Sequence, residues 1–213
     1  MIAVSLSREM LCTLRDRCIG RRDSYALQQA DGRYLRQREP LSWELLGLHL
    51  AGSLTLGTYL IDAHGLCRFA VFDADGRSAD DDLVALVQLQ ERLAELGLVS
   101  ALELSRRGGH LWVFLARPAS PAAVRRFLLP FCPAGVEFYP KQDRATWLEP
   151  GSLIRVPFGV HRRSGRRYPF LQMVAGQLQP VAQSVAASLS WLDLVERVAV
   201  PDLPAAGVEL RPS

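Results

Sequence analysis

No apolar run in this 213-residue chain approaches the roughly 18 residues that a membrane span requires. The opening "MIAVSLSREM" lacks the basic region and apolar core of an export signal, so the expected location is cytoplasmic, with no membrane partner. Cysteine is scarce. Cys12, Cys18, Cys67 and Cys132 form no CxxC pair, which favours reduced thiols over a disulfide framework, and the long spacing of Cys12 and Cys18 makes a poor zinc pair. Lysine is scarcer still: Lys141 is the only one among 25 basic residues, a bias that genome composition explains and that makes the surviving lysine worth inspecting. Internal repeats and low-complexity stretches are absent as well.

What is present is a chain that is 49% hydrophobic, enough for one large domain or two closely packed lobes. Helices are expected over 7–19 and over 41–51, where Ser42 followed by Glu44 suggests a capped start. "TLGTYLID" (55–62) and "CRFAVFDAD" (67–75) have the β-branched and aromatic content of strands around the turn "AHG". The segment 79–97 carries acids in its first turn, leucine and valine at helical spacing, and Gly97 at its stop. "SALELS" and "HLWVFLA" are expected strands flanking "RRGG", and "SPAAVRRFLLPF" (120–131) is a helix with an N-cap serine and a proline at its first position. "VEFYP" (136–140) and "SLIRVPFG" (152–159) are strand-like, and a last helix is expected near 186–198.

The order β-α-β-β-α-β over 67–140 is the split βαβ arrangement of ferredoxin-like and RNA-recognition-motif-like sheets. The expected class is therefore α+β: an N-terminal αβ lobe (1–66), an RNA-recognition-motif-like core (67–180), a closing helix (181–200) and a tail (201–213).

The apolar run "RFAVFDADG" (68–76) ends in two carboxylates one residue apart. Burying an ionised carboxylate without a partner costs several kcal/mol, so a turn, a cation or solvent must compensate. Alternation puts Asp73 and Asp75 on one face with Cα atoms roughly 6.5 to 7 Å apart, close enough to share a divalent ion, although a solvated Asp-Ala-Asp-Gly turn satisfies the same pattern. Gly76 comes too early for an EF-hand loop.

Two further patterns bear on the choice. In "ELSRRGGHLWVFL", Ser105 ends a strand, a glycine loop offers backbone N–H groups and His110 opens the next strand, the kinds of donor that hold a phosphate, or else an ordinary hairpin. In "VEFYPKQD", Glu137 points opposite to Val136 and Phe138, so it joins the open face if that apolar pair faces the helices. Three carboxylates on neighbouring strands suit two divalent ions about 3.5 to 4 Å apart, which clamp an in-line displacement at phosphorus. The arginine clusters "GRRD", "SRRGG" and "HRRSGRR" are ordinarily solvated faces, but beside acidic metal ligands they suit phosphate-bearing partners.

The order Asp-x-Asp, Ser-loop-His, apolar-Glu-apolar resembles the archaeo-eukaryotic primase, or primase-polymerase, superfamily over roughly residues 20–170. "GRRDSYALQQADGRY" and "VEFYPKQD...GSLIRVPFGVHRRSGRRYPF" resemble its branch in CRISPR-associated, plasmid and conflict systems. The resemblance implies a nucleotidyltransferase, a DNA primase or polymerase, with Asp73, Asp75 and Glu137 as catalytic ligands of two Mg²⁺ or Mn²⁺ ions. It implies Ser105, Arg107 and His110 on the nucleotide's phosphates, and Lys141, Arg155, His161 and Arg162 as further nucleotide or template contacts. The implied partners are a DNA template and primer, nucleoside triphosphates, and CRISPR or mobile-element proteins. Two positions depart from the family's pattern: Glu137 stands where many relatives carry Asp, and Arg107 where some carry Lys. The competing functions are a non-catalytic RNA-recognition-motif-like binding module, which would stack bases on exposed sheet aromatics, and a metal-dependent nuclease or nucleotidyl cyclase.

Overall fold

Serines set the helix starts. The computed structural model describes residues 7–76 and 78–201, and within them lie α1 (Arg8–Cys18), α2 (Trp43–Ala51), α3 (Ala79–Glu95), α4 (Pro121–Leu128) and α5 (Val185–Leu194). Ser7, Ser42, Ser78, Ser120 and Ser184 each accept a hydrogen bond from the backbone N–H three residues on. Each such cap contributes about 1 kcal/mol relative to alanine. The closing helix stops at Leu194, earlier than expected. Beyond it Val198 takes an extended course, donating to the Phe114 carbonyl and accepting from the Ala116 N–H.

Among the described residues, ten strands form two antiparallel sheets. β1 (Tyr25–Gln28), β2 (Tyr34–Gln37), β3 (Leu56–Tyr59) and β8 (Leu153–Arg155) make a four-stranded sheet in the order β2-β1-β3-β8. β4 (Cys67–Ala74), β5 (Ala101–Leu104), β6 (Gly109–Ala119), β7 (Glu137–Tyr139), β9 (Phe170–Val174) and β10 (Gln177–Pro180) make the second, in the order β10-β9-β5-β6-β4-β7. The β4-α3-β5-β6-α4-β7 unit is thus the expected split βαβ sheet, extended at one edge by the β9-β10 hairpin. Just past β3, Ile61 bridges to Cys67 at the start of β4, and the two strands enter different sheets. β8, though it falls within 67–180, crosses back to pair with β3.

Strand alternation divides the six-stranded sheet's two faces. Ala70, Phe72, Leu102, Leu111, Val113 and Phe138 pack in one core with Leu86, Leu89 and Leu93 of α3 and Val124 and Leu128 of α4. On the opposite face Phe69, Val71, Ala101, Trp112 and Phe114 pack with Leu14, Leu46, Leu56, Ile154, Leu189 and Leu192 of the N-terminal lobe and α5. The face expected to be open is therefore roofed by the first sheet along most of its length. Among the described residues no helix is long and apolar enough to cross a membrane, and all four cysteines are free, Cys18 and Cys67 buried.

Candidate active site

The register of four strands sets one polar row. Asp73 pairs with Glu137 on one side and with His110 on the other, and His110 pairs with Glu103. The row Glu137-Asp73-His110-Glu103 therefore crosses β7, β4, β6 and β5 on a single face, where the aromatic core of that face gives out. A cleft of about 410 Å³ opens there between the two sheets, lined by Asp73, Asp75, Ser105, Arg107, His110, Arg155 and His161 among others. Seven of the ten expected site residues are brought together in this way.

The other three stand apart from the lining. Glu137 neighbours Asp73 in register, but its carboxylate accepts from Lys141 Nζ at 2.8 Å and from the Tyr139 hydroxyl at 2.7 Å. Those two bonds hold it below the ordinary carboxylate range. Arg162 turns to the carbonyls of Gly52 and Ser53, at 3.3 and 3.4 Å, where a cation suits the C-terminus of α2.

Two carboxylates beside the cleft face a cation and the third faces an imidazole. Asp75 is bonded by Arg107, Glu137 by Lys141, and Asp73 Oδ1 lies 3.6 Å from His110 Nε2. Only the last contact is too long for a hydrogen bond, and Asp73 Oδ1 is buried with no hydrogen-bond partner among the described residues. Burial raises the pKa of Asp73; His110 opposes the shift, and the charges of Asp75, Glu137 and Glu103 add to it. An unpartnered buried carboxylate oxygen flanked by two more carboxylates is what hard divalent cations take as ligands, so this donor set fits Mg²⁺ or Mn²⁺. Among the described residues, no three His, Cys, Asp or Glu side chains already stand within reach of one ion. Asp75 and Glu137 are drawn to their own cations instead.

The Ser105 loop differs in detail from the expectation of exposed amides. The N–H groups of Arg107 and Gly108 donate to Ser105 Oγ at 3.4 and 3.2 Å, so the hydroxyl closes the turn from within. Gly108 is required there because a Cβ would lie 2.1 Å from the Ala74 carbonyl oxygen. The donors that remain toward the cleft are guanidinium and imidazole groups.

Sequence reasoning missed Glu103. It is fully buried, accepts from Arg155 at 2.5 Å on one oxygen, and accepts from His110 Nδ1 at 2.8 Å and Trp112 Nε1 at 2.9 Å on the other. Burial alone would raise its pKa, but Arg155, His110 and Trp112 together outweigh that and hold it low. A charged Glu103 fixes the His110 proton on Nδ1 and leaves Nε2 toward Asp73. Arg155 comes from β8, so this carboxylate also ties the two sheets together across the back of the cleft. Tyr34 was missed too: it lines the cleft, packs against Gly57 where a Cβ would meet its ring at 2.8 Å, and has a buried hydroxyl without a partner. His161 also lines the cleft, its Nδ1 accepting from the Ser164 N–H at 3.3 Å; burial, then Arg155 and Arg106, lower its pKa.

The solved structures similar to this chain include the catalytic domain of the primase RepB′ in complex with initiator DNA, at 11% identity and a TM-score of 0.42, covering 87% of this chain and 94% of that one. Another is the polymerase domain of Mycobacterium tuberculosis ligase D in complex with DNA, at 13% identity and a TM-score of 0.37, covering 87% and 85%. None of the curated proteins matches the chain. Residues 19–187, which hold the cleft and both sheets, match the family described as the archaeo-eukaryotic primase domain of the TOTE conflict system, and the chain belongs to that family.

Proposed function

We propose that the cleft joins nucleoside triphosphates to a 3′-hydroxyl on a DNA template, as a primase, a polymerase or both. The observation that carries this proposal is the row of carboxylates, one with an unpartnered buried oxygen, at the mouth of a cation-lined cleft. When bound, two Mg²⁺ or Mn²⁺ ions held by Asp73, Asp75 and Glu137 would stabilise charge at the attacking and leaving oxygens. The chain's own residues do the rest. Arg107 exchanges its contact with Asp75 for a triphosphate oxygen, and Lys141 does the same from Glu137, so cations that neutralise the carboxylates in the free protein are released to the substrate. His110, oriented by Glu103, presents Nε2 beside Asp73 at the phosphate being transferred. Arg155 and His161 line the inner wall, and base pairing with the template selects the nucleotide, so no side chain has to recognise sequence.

Burial of Phe69, Trp112 and Phe114 beneath the first sheet removes the exposed aromatic platform a non-catalytic binding module would use. The family's conflict-system origin supports a mobile-element or CRISPR setting for the partner proteins. Primer extension on a defined template tests the proposal, run with and without primer, with Mg²⁺ and with Mn²⁺, and with ribo- and deoxyribonucleotides. Incorporation dependent on template and metal is expected. Template binding without incorporation under any of these conditions would overturn it.

A further inference from the structure

The far end of β4 carries the opposite electrostatics. Arg68 lies five residues before Asp73, roughly 16 Å along the strand. There a separate pocket of about 120 Å³ is lined by Arg17, Arg68 and Arg197 over a wall of Phe114, Leu115, Ala116 and Pro118. Among the described residues the one carboxylate in its lining is that of Asp16, which is paired with Arg22 at 2.9 Å.

The arginines come from separate parts of the chain, Arg17 from α1, Arg68 from β4 and Arg197 from the stretch after α5. Arg17, on α1, donates to the carbonyls of Val195, at 2.8 Å, and of Asp193, which anchors it at the end of α5. Its side chain is 6% exposed, and its Nε is buried without a hydrogen-bond partner, with Asp193 Oδ1 no nearer than 4.0 Å. Arg197 is positioned by the backbone bonds of Val198 to Phe114 and Ala116. Arg68 projects from the irregular start of β4, where the register with β6 shifts.

The three guanidinium groups outnumber the carboxylates near them, Asp16 being paired with Arg22 and Asp193 Oδ1 standing 4.0 Å from Arg17 Nε, so they repel one another. Burial first, then Arg197, pulls Arg17 below the ordinary arginine range, and burial followed by Arg15 and Arg68 does the same to Arg22. Arg17's bonds at the end of α5 account for its own place but not for Arg68 and Arg197 beside it. An anion between the three guanidinium groups would offset their mutual repulsion. The volume admits one tetrahedral group rather than a triphosphate.

We propose that this pocket is a second anion site that takes a single phosphate group, distinct from the nucleotide cleft. The same chemistry is offered by free inorganic phosphate and by a phosphate within a nucleic-acid strand, and two titrations separate them. Sodium phosphate is titrated into the full chain and into Arg68→Gln/Arg197→Gln by calorimetry; a single-stranded oligodeoxynucleotide without terminal phosphates is titrated at several salt concentrations. The double variant is expected to lose one class of phosphate site, its affinity falling at least tenfold. If the phosphate belongs to a strand, oligonucleotide affinity also falls, with the salt slope reduced by about 0.7. If only the inorganic titration changes, the ligand is the small anion. Arg68→Lys/Arg197→Lys, which keeps the charge, is expected to bind within a few-fold of the parent and covers the case in which the glutamine variant misfolds. Unchanged titrations of both probes in a folded glutamine variant, or loss of phosphate binding in the lysine variant equal to that in the glutamine variant, would overturn the proposal.

Discussion

Glu103 and Asp73 are carboxylates in the same row, with His110 between them, yet they are treated in opposite ways. Glu103 is enclosed: both of its oxygens are taken by Arg155, His110 and Trp112, and its pKa is held low in spite of burial. Asp73 keeps a buried oxygen that nothing donates to, and its pKa is raised. The division extends through the molecule. His49, fully buried, accepts from the Leu56 N–H at 3.0 Å and donates to the Pro157 carbonyl at 2.8 Å, and so sides with Glu103. The Tyr34 hydroxyl and Arg155 Nη1, both buried and unpartnered beside the cleft, side with Asp73. Closed groups hold the fold together. Open ones are held in readiness for something the chain does not itself supply.

The sharpest break in this comparison comes from neutralising each carboxylate in turn. Asp73→Asn is expected to lower nucleotide incorporation by about a thousandfold, the loss of about 4 kcal/mol of transition-state stabilisation. In metal-free buffer its melting temperature should equal or exceed the parent's, because an unpartnered buried charge has been removed. Glu103→Gln should do the reverse to stability and lower it by about 3 to 5 kcal/mol, because Arg155 is left buried without its counter-charge. Urea unfolding of both variants beside primer extension measures the contrast. A destabilised Asp73→Asn, or an unperturbed Glu103→Gln, would erase the distinction between open and closed groups.

Much of this was legible before the structure. Ser42 and Ser120 mark helix starts because a cap is a local event, settled within four residues. Asp73, Asp75 and Glu137 were legible because a charge inside an apolar alternation is conspicuous. Glu103 in "LEL" carries the same signal as Glu137 in "VEF", with apolar neighbours on the opposite face, and could have been found by the same rule. Its pairing with Arg155 could not, since Arg155 arrives from the other sheet, and pairing across sheets leaves no local trace. The β9-β10 hairpin turns on Ala175 and Gly176, both at positive φ, and beyond the buried Phe170 and Leu171 its residues are mostly exposed, so little burial marks it as a strand pair. The cluster "HRRSGRR" was misleading as a unit: Arg163 lines the cleft, whereas Arg162 and Arg167 bond to carbonyls at the end of α2.

His49 extends the comparison to pH. Burial is the main cause that lowers its pKa, from 6.5 to about 4, so the folded state keeps the ring neutral where the unfolded chain would protonate it. A depressed histidine pKa means that stability is complete above pH 6.5 and declines as pH falls toward about 4, where the loss levels off. The decline attributable to His49 is about 3 kcal/mol. His49→Gln should be less stable at neutral pH but should lack this part of the slope, and urea titrations at pH 7.0, 5.5 and 4.5 would show the difference. Parallel slopes in parent and variant would mean that His49 is not closed in the sense argued here.

The smallest expected effect tests the boundary between the two classes. Lys141 lies beyond β7, half-exposed, its ammonium 2.8 Å from Glu137 and 4.9 Å from the centre of the Tyr139 ring. As an exposed ion pair it is worth about 0.5 kcal/mol or less, so neither Lys141→Arg nor Lys141→Ala should move the unfolding midpoint appreciably. Catalysis should separate them from the parent. If Lys141 shields Glu137 in the free protein and passes to a phosphate oxygen when substrate arrives, its compact charge on a flexible stem matters, and a planar fork has different reach. Lys141→Ala should then raise the nucleotide KM by about tenfold, the equivalent of about 1.4 kcal/mol, with Lys141→Arg intermediate. Incorporation kinetics indistinguishable from the parent in both variants would return Lys141 to the closed class, as surface charge paired with Glu137 and nothing more.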